Sequence, residues 1–464
     1  MEIKFDLNNM FSSLISPPYG IDGKEIDALS DQLSKAHANI SSMRKKGELV
    51  FLDMPYKEEF INQVDEIVKL KKGKFENFVN IGIGGSALGS IAVFNALSHP
   101  FHNLLESSRR NNAPRMFFPD NIDPDGIDGL FDVLDIKKTL INITSKSGGT
   151  VETISTFLLL RQRIIDKVGI NAYKDHIIVT TSESQGELRQ IAKEEGFSSL
   201  SIPNDLGGRY SVLSPAGLLC AALLGYSVKE FMDGAKIMDK KTSVQDVWKN
   251  PAYLYSALHY IADQKKGLNI FVIMPYSNAL RTIADWYAQL VSESLGKVSG
   301  NGTLVGPTPV KTLGATDQHS QLQLYVEGRR DKVVTFIAVD NFSASLTIPK
   351  AYEKYDSIGY LGGHTITELF DAERKATELS LAKNNRLNCT ISLPQITPHT
   401  LGQLFYFFEV CTLFLGQLYN VNPLDQPGVE ESKDYARAFM GKKGSENKKR
   451  EIEKLSKKDS KYCF

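Results

Sequence analysis

Neither sign of charge is in excess in this sequence: Lys and Arg number 54, and so do Asp and Glu, across 464 residues. A chain so balanced has no global field for a polyanion, which argues against nucleic acid as its partner. One local imbalance exists, from Gly441 to Lys461, with nine Lys/Arg against four Asp/Glu. Acidic residues are interleaved there and no aromatic side chain lies among them to stack on a base, so a solvated terminal helix is expected. Cysteine is scarce too. Cys220, Cys389, Cys411 and Cys463 show no CxxC spacing and read as reduced thiols of a cytoplasmic protein. HExxH, Cys/His clusters and the Walker pattern GxxxxGK[ST] are missing, so no metal site and no nucleoside triphosphate site is expected. The longest apolar stretch, Leu401 to Tyr419, is interrupted by Gln403, Glu409 and Gln417. That favours a buried helix over a membrane span, which needs about 20 residues almost free of charge. The opening MEIKFDLNNMFSS lacks the basic region and apolar run of a signal peptide.

What is present is rhythm. Ile26, Leu29, Leu33, Ile40 and Met43, then Phe60, Val64, Ile67 and Val68, keep helical spacing through the first 74 residues. From Glu76 short apolar runs alternate with amphipathic stretches: 77–83, 115–120, 139–144, 176–181 and 199–203. After a helical bridge at 228–266 the rhythm restarts with runs at 268–275, 332–340 and 387–394. Such alternation predicts an α/β protein with two parallel sheets, each covered by helices on both faces. The expected organisation is a helical segment (1–74) packing on the larger unit, a first α/β unit (75–230), a second (231–440) and a basic helical tail (441–464). No Gly/Ser or Pro linker divides the two units, so extensive packing between them is expected.

Residues 141–153, INITSKSGGTVET, turn from an apolar strand into five hydroxyls, two glycines and a lysine. Ligands of parallel sheets bind outside the carboxyl ends of strands, where loops lead into helix N-termini that favour anions. One Ser or Thr is enough to cap a helix. Five hydroxyls with Lys146 favour a phosphorylated metabolite. NIGIGGSALGS (80–90) is a second glycine turn. Gly82, Gly84 and Ala87 meet the loose dinucleotide pattern, yet the next strand ends at Asp120, too distant for its acidic partner, and Leu88 breaks GxSxG. Ser86 there reads as a donor to substrate or as a site of tight helix packing.

Four further stretches hold candidate groups. DLGGRYSVLSPAG (205–217) presents Arg209 after two glycines, either at a site or in a surface ion pair. WYAQLVSESLGK (286–297) puts Gln289 and Glu293 four apart on one helix face, where a carboxylate near apolar neighbours can carry a proton or simply sit half-exposed. His319, in GATDQHSQLQLYVEG (314–328), is a proton carrier or an exposed loop residue. NPLDQPGVEESK (422–433) delivers Gln426 and Lys433 around a Pro-Gly turn, unless Lys433 is an ordinary surface lysine.

Together these stretches resemble the glucose-6-phosphate isomerase (phosphoglucose isomerase) family from about residue 78 to 440. SKSGGTVET resembles its phosphate loop, GGRYS its arginine motif, ESLGK its glutamate motif, DQHSQLQ its histidine motif and DQPGVEESK its lysine motif. Gly149 stands where relatives often carry threonine, and Leu424 where phenylalanine is usual. The resemblance implies two sugar-isomerase (SIS) domains, a homodimer, a phosphorylated hexose as substrate and no cofactor. It implies that Ser145, Lys146, Ser147, Thr150 and Thr153 grip the phosphate, and that Gly85, Ser86, Gly208, Gln289 and Gln426 contact or orient the sugar. His319 of the neighbouring subunit and Lys433 would open the ring, Glu293 would move a proton between C2 and C1, and Arg209 would balance the enediolate. A phosphosugar-sensing regulator, which has no use for those four groups at once, an isomerase of another phosphosugar, mannose 6-phosphate included, and a nicotinamide dehydrogenase are the rivals.

Overall fold

Strands that are apolar on both faces need cover on both faces, and the computed structural model, which describes residues 1–464, supplies it. Six strands come first: β1 (Lys4–Asp6), β2 (Asn77–Ile81), β3 (Arg115–Phe117), β4 (Thr139–Ser145), β5 (Ile177–Ser182) and β6 (Ser198–Ile202). Six follow: β7 (Ile270–Pro275), β8 (Lys297–Val298), β9 (Leu304–Val305), β10 (Thr308–Lys311), β11 (Lys332–Val339) and β12 (Asn388–Leu393).

The first sheet is wholly parallel in the order β3-β2-β4-β5-β6. Side chains alternate as the pleat requires. Val79, Ile81, Ile141, Ile143, Ile177 and Val179 form a core with Phe157, Leu160 and Leu188 of the covering helices. Phe78, Leu140, Ile178 and Leu200 point to the other face, into the main core of the protein. On that second face a fully buried polar ladder ties three strands near their carboxyl ends. Asn142 Nδ2 donates to Asn80 Oδ1 (2.7 Å), and Thr180 Oγ1 donates to Asn142 Oδ1 (2.8 Å).

The second sheet has the order β1-β12-β11-β7-β10. Four of its strands are parallel; β1 joins the edge antiparallel to β12, with Lys4 opposite Ser392. This departs from the helical reading of residues 1–74. Three residues of mixed exposure carry no periodic signal, and the strand forms because it can complete an edge: the Ile3 amide donates to the Gln403 side chain (3.2 Å) and the Phe5 ring packs on Phe407 at 4.5 Å. The rest of that segment is helical, at Gly23–Asp27, Ser30–Lys45, Val50–Asp53 and Glu58–Lys71. Strands β8, β9 and β10 were likewise unforeseen, being two to four residues long and partly exposed.

The helix Pro398–Tyr419 is long and apolar enough to cross a membrane, but 94% of its apolar window is buried inside the protein. It is the centre of the main core, against the helices Val228–Thr242, Pro251–Lys266 and Arg281–Leu295. The basic tail forms a helix, Glu446–Leu455, that docks on the helix Glu430–Phe439 through Tyr435, whose hydroxyl donates to Glu451 (2.6 Å).

Strand order locates the crevice. From β2 the chain crosses to β3 on one side, and from β4 to β5 on the other, so the two connections part between the carboxyl ends of β2 and β4. An open parallel sheet binds ligands at such a parting. The two turns there are Gly82–Ser86 and Ser145–Thr150.

Candidate active site

The turn after β2 is held by backbone-to-backbone packing. Gly84 has φ +55°, and a Cβ on Gly85 would lie 2.3 Å from the Gly208 carbonyl carbon and 2.5 Å from the Arg209 nitrogen. Any side chain at Gly85 would push apart the two turns that carry Ser86 and Arg209. Ser86 is half-buried, its hydroxyl making no hydrogen bond in the chain, and Gly208 is exposed.

The turn after β4 leads into a helix start that no side chain caps. Ser145 Oγ accepts the Gly148 amide (3.1 Å) and lies 3.4 Å from Thr150 Oγ1, while Ser147 Oγ accepts the Gly149 amide (3.2 Å). Thr150 occupies the cap position of the helix Val151–Val168, yet its side chain makes no capping bond. The first-turn amides and the positive end of the helix dipole therefore remain unsatisfied. Thr153, 2% exposed, points a hydroxyl with no partner, and Lys146 forms no ion pair. Burial lowers the pKa of Lys146; Asp205 opposes the shift and Arg209 adds to it, which puts Lys146 within electrostatic reach of Arg209. Gly148 (φ +69°) lets the turn press against the start of the helix Glu187–Glu195, where a Cβ would meet the Leu188 nitrogen at 2.6 Å.

Arg209 is not the surface arginine that its local sequence allowed. It is 2% exposed, and its five N–H groups make five hydrogen bonds. Nε donates to Ser294 Oγ (2.7 Å), Nη1 to Glu293 Oε2 (3.2 Å) and Gln426 Oε1 (2.8 Å), and Nη2 to the carbonyls of Pro423 (2.6 Å) and Asp425 (2.8 Å). Glu293 is its only anionic partner. The other carboxylate oxygen, Oε1, accepts from Gln289 Nε2 (2.9 Å), and Gln289 Oε1 is buried without a partner. Four predicted residues thus form one hydrogen-bonded chain, Gln289–Glu293–Arg209–Gln426.

Topology explains the convergence. The helix Arg281–Leu295 follows the carboxyl end of β7 and runs back, so its last two turns, with Gln289 and Glu293, return towards the amino edge of the second sheet. There it meets the carboxyl edge of the first: a Cβ on Gly84 would lie 3.0 Å from Gln289 Nε2. Tyr210 locks the junction from behind, its hydroxyl 3.1 Å from Ser294 Oγ. A cleft of about 930 Å³ opens beside Glu293, lined by Lys297, Asn422, Asp425, Gln426 and Gly428. The Ser145–Thr150 turn does not line that cleft; it follows β4, the strand paired with the β2 that leads into Gly84.

Two predicted residues stand apart within one chain. His319, exposed after the short turn Thr316–Gln318, makes no side-chain hydrogen bond. Lys433, half-exposed on the helix Glu430–Phe439, pairs with Glu430 (2.8 Å) rather than with Glu293. Sequence reasoning missed Ser294 and Lys297, although both lie in the quoted ESLGK, and Asp425, in the quoted DQPGVEESK. Lys297, only 8% exposed, binds the Asp425 carboxylate at 2.6 Å. No group of three or more His, Cys, Asp or Glu side chains is placed to hold a metal ion.

Comparison with known proteins extends the motif match in both directions. The family model described as phosphoglucose isomerase covers residues 57–458. Glucose-6-phosphate isomerase of Carboxydothermus hydrogenoformans is 40% identical over 461 residues, 98% of this chain and 98% of that protein. The enzyme of that name from Rubrobacter xylanophilus is 38% identical over 96% of this chain and 99% of its own. Among solved structures, a hypothetical protein of Thermus thermophilus superposes with a TM-score of 0.83 at 31% identity, covering 95% of this chain and all of that one. A glucose-6-phosphate isomerase from Chlamydia trachomatis shares the fold, with a TM-score of 0.80 at 22% identity over 94% of this chain and 89% of that one. The chain belongs to the phosphoglucose isomerase family.

Proposed function

We propose that this protein interconverts glucose 6-phosphate and fructose 6-phosphate by proton transfer through a cis-enediol. The observation that carries the reading is the Gln289–Glu293–Arg209–Gln426 chain, assembled from three distant segments beside an anion-ready helix start. Ser145, Lys146, Ser147, Thr150 and Thr153 hold the phosphate. Binding energy from this non-reacting end keeps C1 and C2 against the base. Glu293, 30% exposed on its side chain, is open to substrate while anchored at both oxygens, so one carboxylate takes the proton from C2 and returns it to C1. Arg209 is the fixed countercharge for the enediolate; a guanidinium does not give up its proton at working pH. Ser86, Gln289 and Gln426 orient the sugar, with Gly85 and Gly208 shaping the turns around it.

Ring opening falls to Lys433 and His319. Neither reaches Glu293 within one chain, so the working unit is a homodimer in which the partner subunit's His319 completes each site. Residues 75–230 and 231–440 act as the two SIS domains, with 1–74 and 441–464 packed on them. The four cysteines are free thiols, consistent with a cytoplasmic enzyme. One coupled assay tests the reading. Purified protein given fructose 6-phosphate, without added metal, is expected to yield glucose 6-phosphate; no product under these conditions refutes it.

A further inference from the structure

Lys297 is the least explained cation near the site. It follows the Glu293 helix directly and lines the cleft, yet only 8% of its side chain is exposed, because it faces three oxygens of one turn. Its Nζ donates to the Asn422 carbonyl, to the Asp425 carbonyl (2.7 Å) and to Asp425 Oδ1 (2.6 Å). Three ammonium protons meet three acceptors. Arg209 holds the same turn from the other side, at Pro423 and Asp425, and with five bonds made it has no donor left for Asn422 or the Asp425 carboxylate. The two cations share the Asp425 carbonyl, the peptide immediately before Gln426. Within the turn, Asn422 braces the same geometry, accepting the Leu424 amide (3.0 Å) and donating to Asp425 Oδ2 (2.9 Å).

We propose that Lys297 is a positioning residue for the isomerisation: it clamps the Asn422–Asp425 turn to the end of the Glu293 helix, and so holds Gln426, the next residue, in its bond to Arg209 beside Glu293. This rests on the isomerase reading above. The proposed phosphate turn does not line the cleft that Lys297 lines, so the role assigned to Lys297 is alignment rather than a grip on the phosphate. Burial lowers the pKa of Lys297, and the Asp425 carboxylate offsets that only in part.

The test is Lys297→Met, which keeps the stem and removes the charge. With fructose 6-phosphate as substrate, kcat is expected to fall at least about tenfold while KM stays within about threefold, the pattern of lost alignment rather than lost binding. Hydrogen exchange read by mass spectrometry is expected to quicken in residues 422–439 and to stay unchanged in residues 145–153. Asp425→Asn, at a half-exposed side chain, keeps both carbonyl acceptors and is expected to lose less, roughly threefold in kcat. A Lys297→Met enzyme within about twofold of the unsubstituted kcat overturns the proposal. So does uniformly faster exchange that includes the phosphate turn, which would make Lys297 a general stabiliser. Should the unsubstituted protein fail to turn over fructose 6-phosphate, the isomerase reading fails by itself, and unchanged exchange in 422–439 is then what removes the clamp.

Discussion

Glu293→Gln separates the two duties assigned to one carboxylate. In the folded chain Oε2 receives Arg209 and Oε1 receives Gln289, both donors. The new amide can accept from only one of them and presents hydrogens to the other. Turning the Gln289 amide resolves that conflict, since its buried Oε1 has no partner and can accept those hydrogens. Hydrogen bonding is therefore conserved, and what remains is loss of charge. Arg209, 1% exposed on its side chain, is left without any anion. Removing one partner of a fully buried pair costs about 3–5 kcal/mol, and water reaches Glu293, so about 1–3 kcal/mol of stability is expected here. The loss of the base weighs on rate alone: a factor of about 10² to 10⁴ in kcat, or roughly 2.7–5.4 kcal/mol of barrier. KM is expected to hold within about threefold, because the proposed phosphate turn belongs to the other sheet. The coupled fructose 6-phosphate assay measures the rate and urea unfolding the stability. A kcat within about threefold of the unsubstituted protein refutes the base assignment, and a KM that rises as steeply as kcat falls refutes the separation of handle from base.

Mixed dimers test the proposed sharing of His319. Mixing His319→Ala with Glu293→Gln subunits, each inactive alone, is expected to restore about a quarter of full activity after exchange, since half of the dimers are mixed and each has one intact site; recovery of none assigns His319 to its own chain. Thr153→Val removes a hydroxyl that has no partner in the folded chain, so unfolding stability is expected to hold or rise while KM increases by about 10-fold or more, the worth of one hydrogen bond to an anion; unchanged KM takes Thr153 out of the phosphate site. Glu409 is 0% exposed and both its oxygens lack partners, and burial pushes its carboxyl well above the 4.5 of an exposed one. The folded protein then keeps a proton that the unfolded chain releases, so this contribution is full below about pH 4.5 and is lost as pH rises through the folded pKa, by about 1.4 kcal/mol per pH unit. Glu409→Gln is expected to remove that slope in urea titrations between about pH 5.5 and 7.5; parallel curves for the two proteins would show Glu409 ionised in place.

Legibility followed the range of the interactions. Eight strands were readable because each contains a short apolar run that meets a core, and in the central β2 the two faces meet two cores, through Val79 and Phe78 at adjacent positions. β1, β8, β9 and β10 were not, because short strands of mixed exposure exist only through the neighbour they pair with, and nothing within them announces it. The hydroxyl turn stood out in the sequence because one Ser or Thr is enough to cap a helix and five hydroxyls are present; in the structure Ser145 and Ser147 accept amides inside the turn, while Thr150 makes no capping bond.

Arg209 marks the other extreme. Locally it allowed a surface pair, and what makes it a buried five-bond hub arrives from 84 to 217 residues away. Its position is paid for by partners that no window around GGRYS contains, and the same holds for Lys297 and Asp425. A guanidinium with every N–H satisfied cannot swing, so the carboxylate it holds and the turn behind it are fixed together, and the substrate meets an alignment already made. That is why the proposed chemistry is assigned to the cluster rather than to any single motif: preorganised charge costs nothing at the moment of reaction only when folding has already placed it.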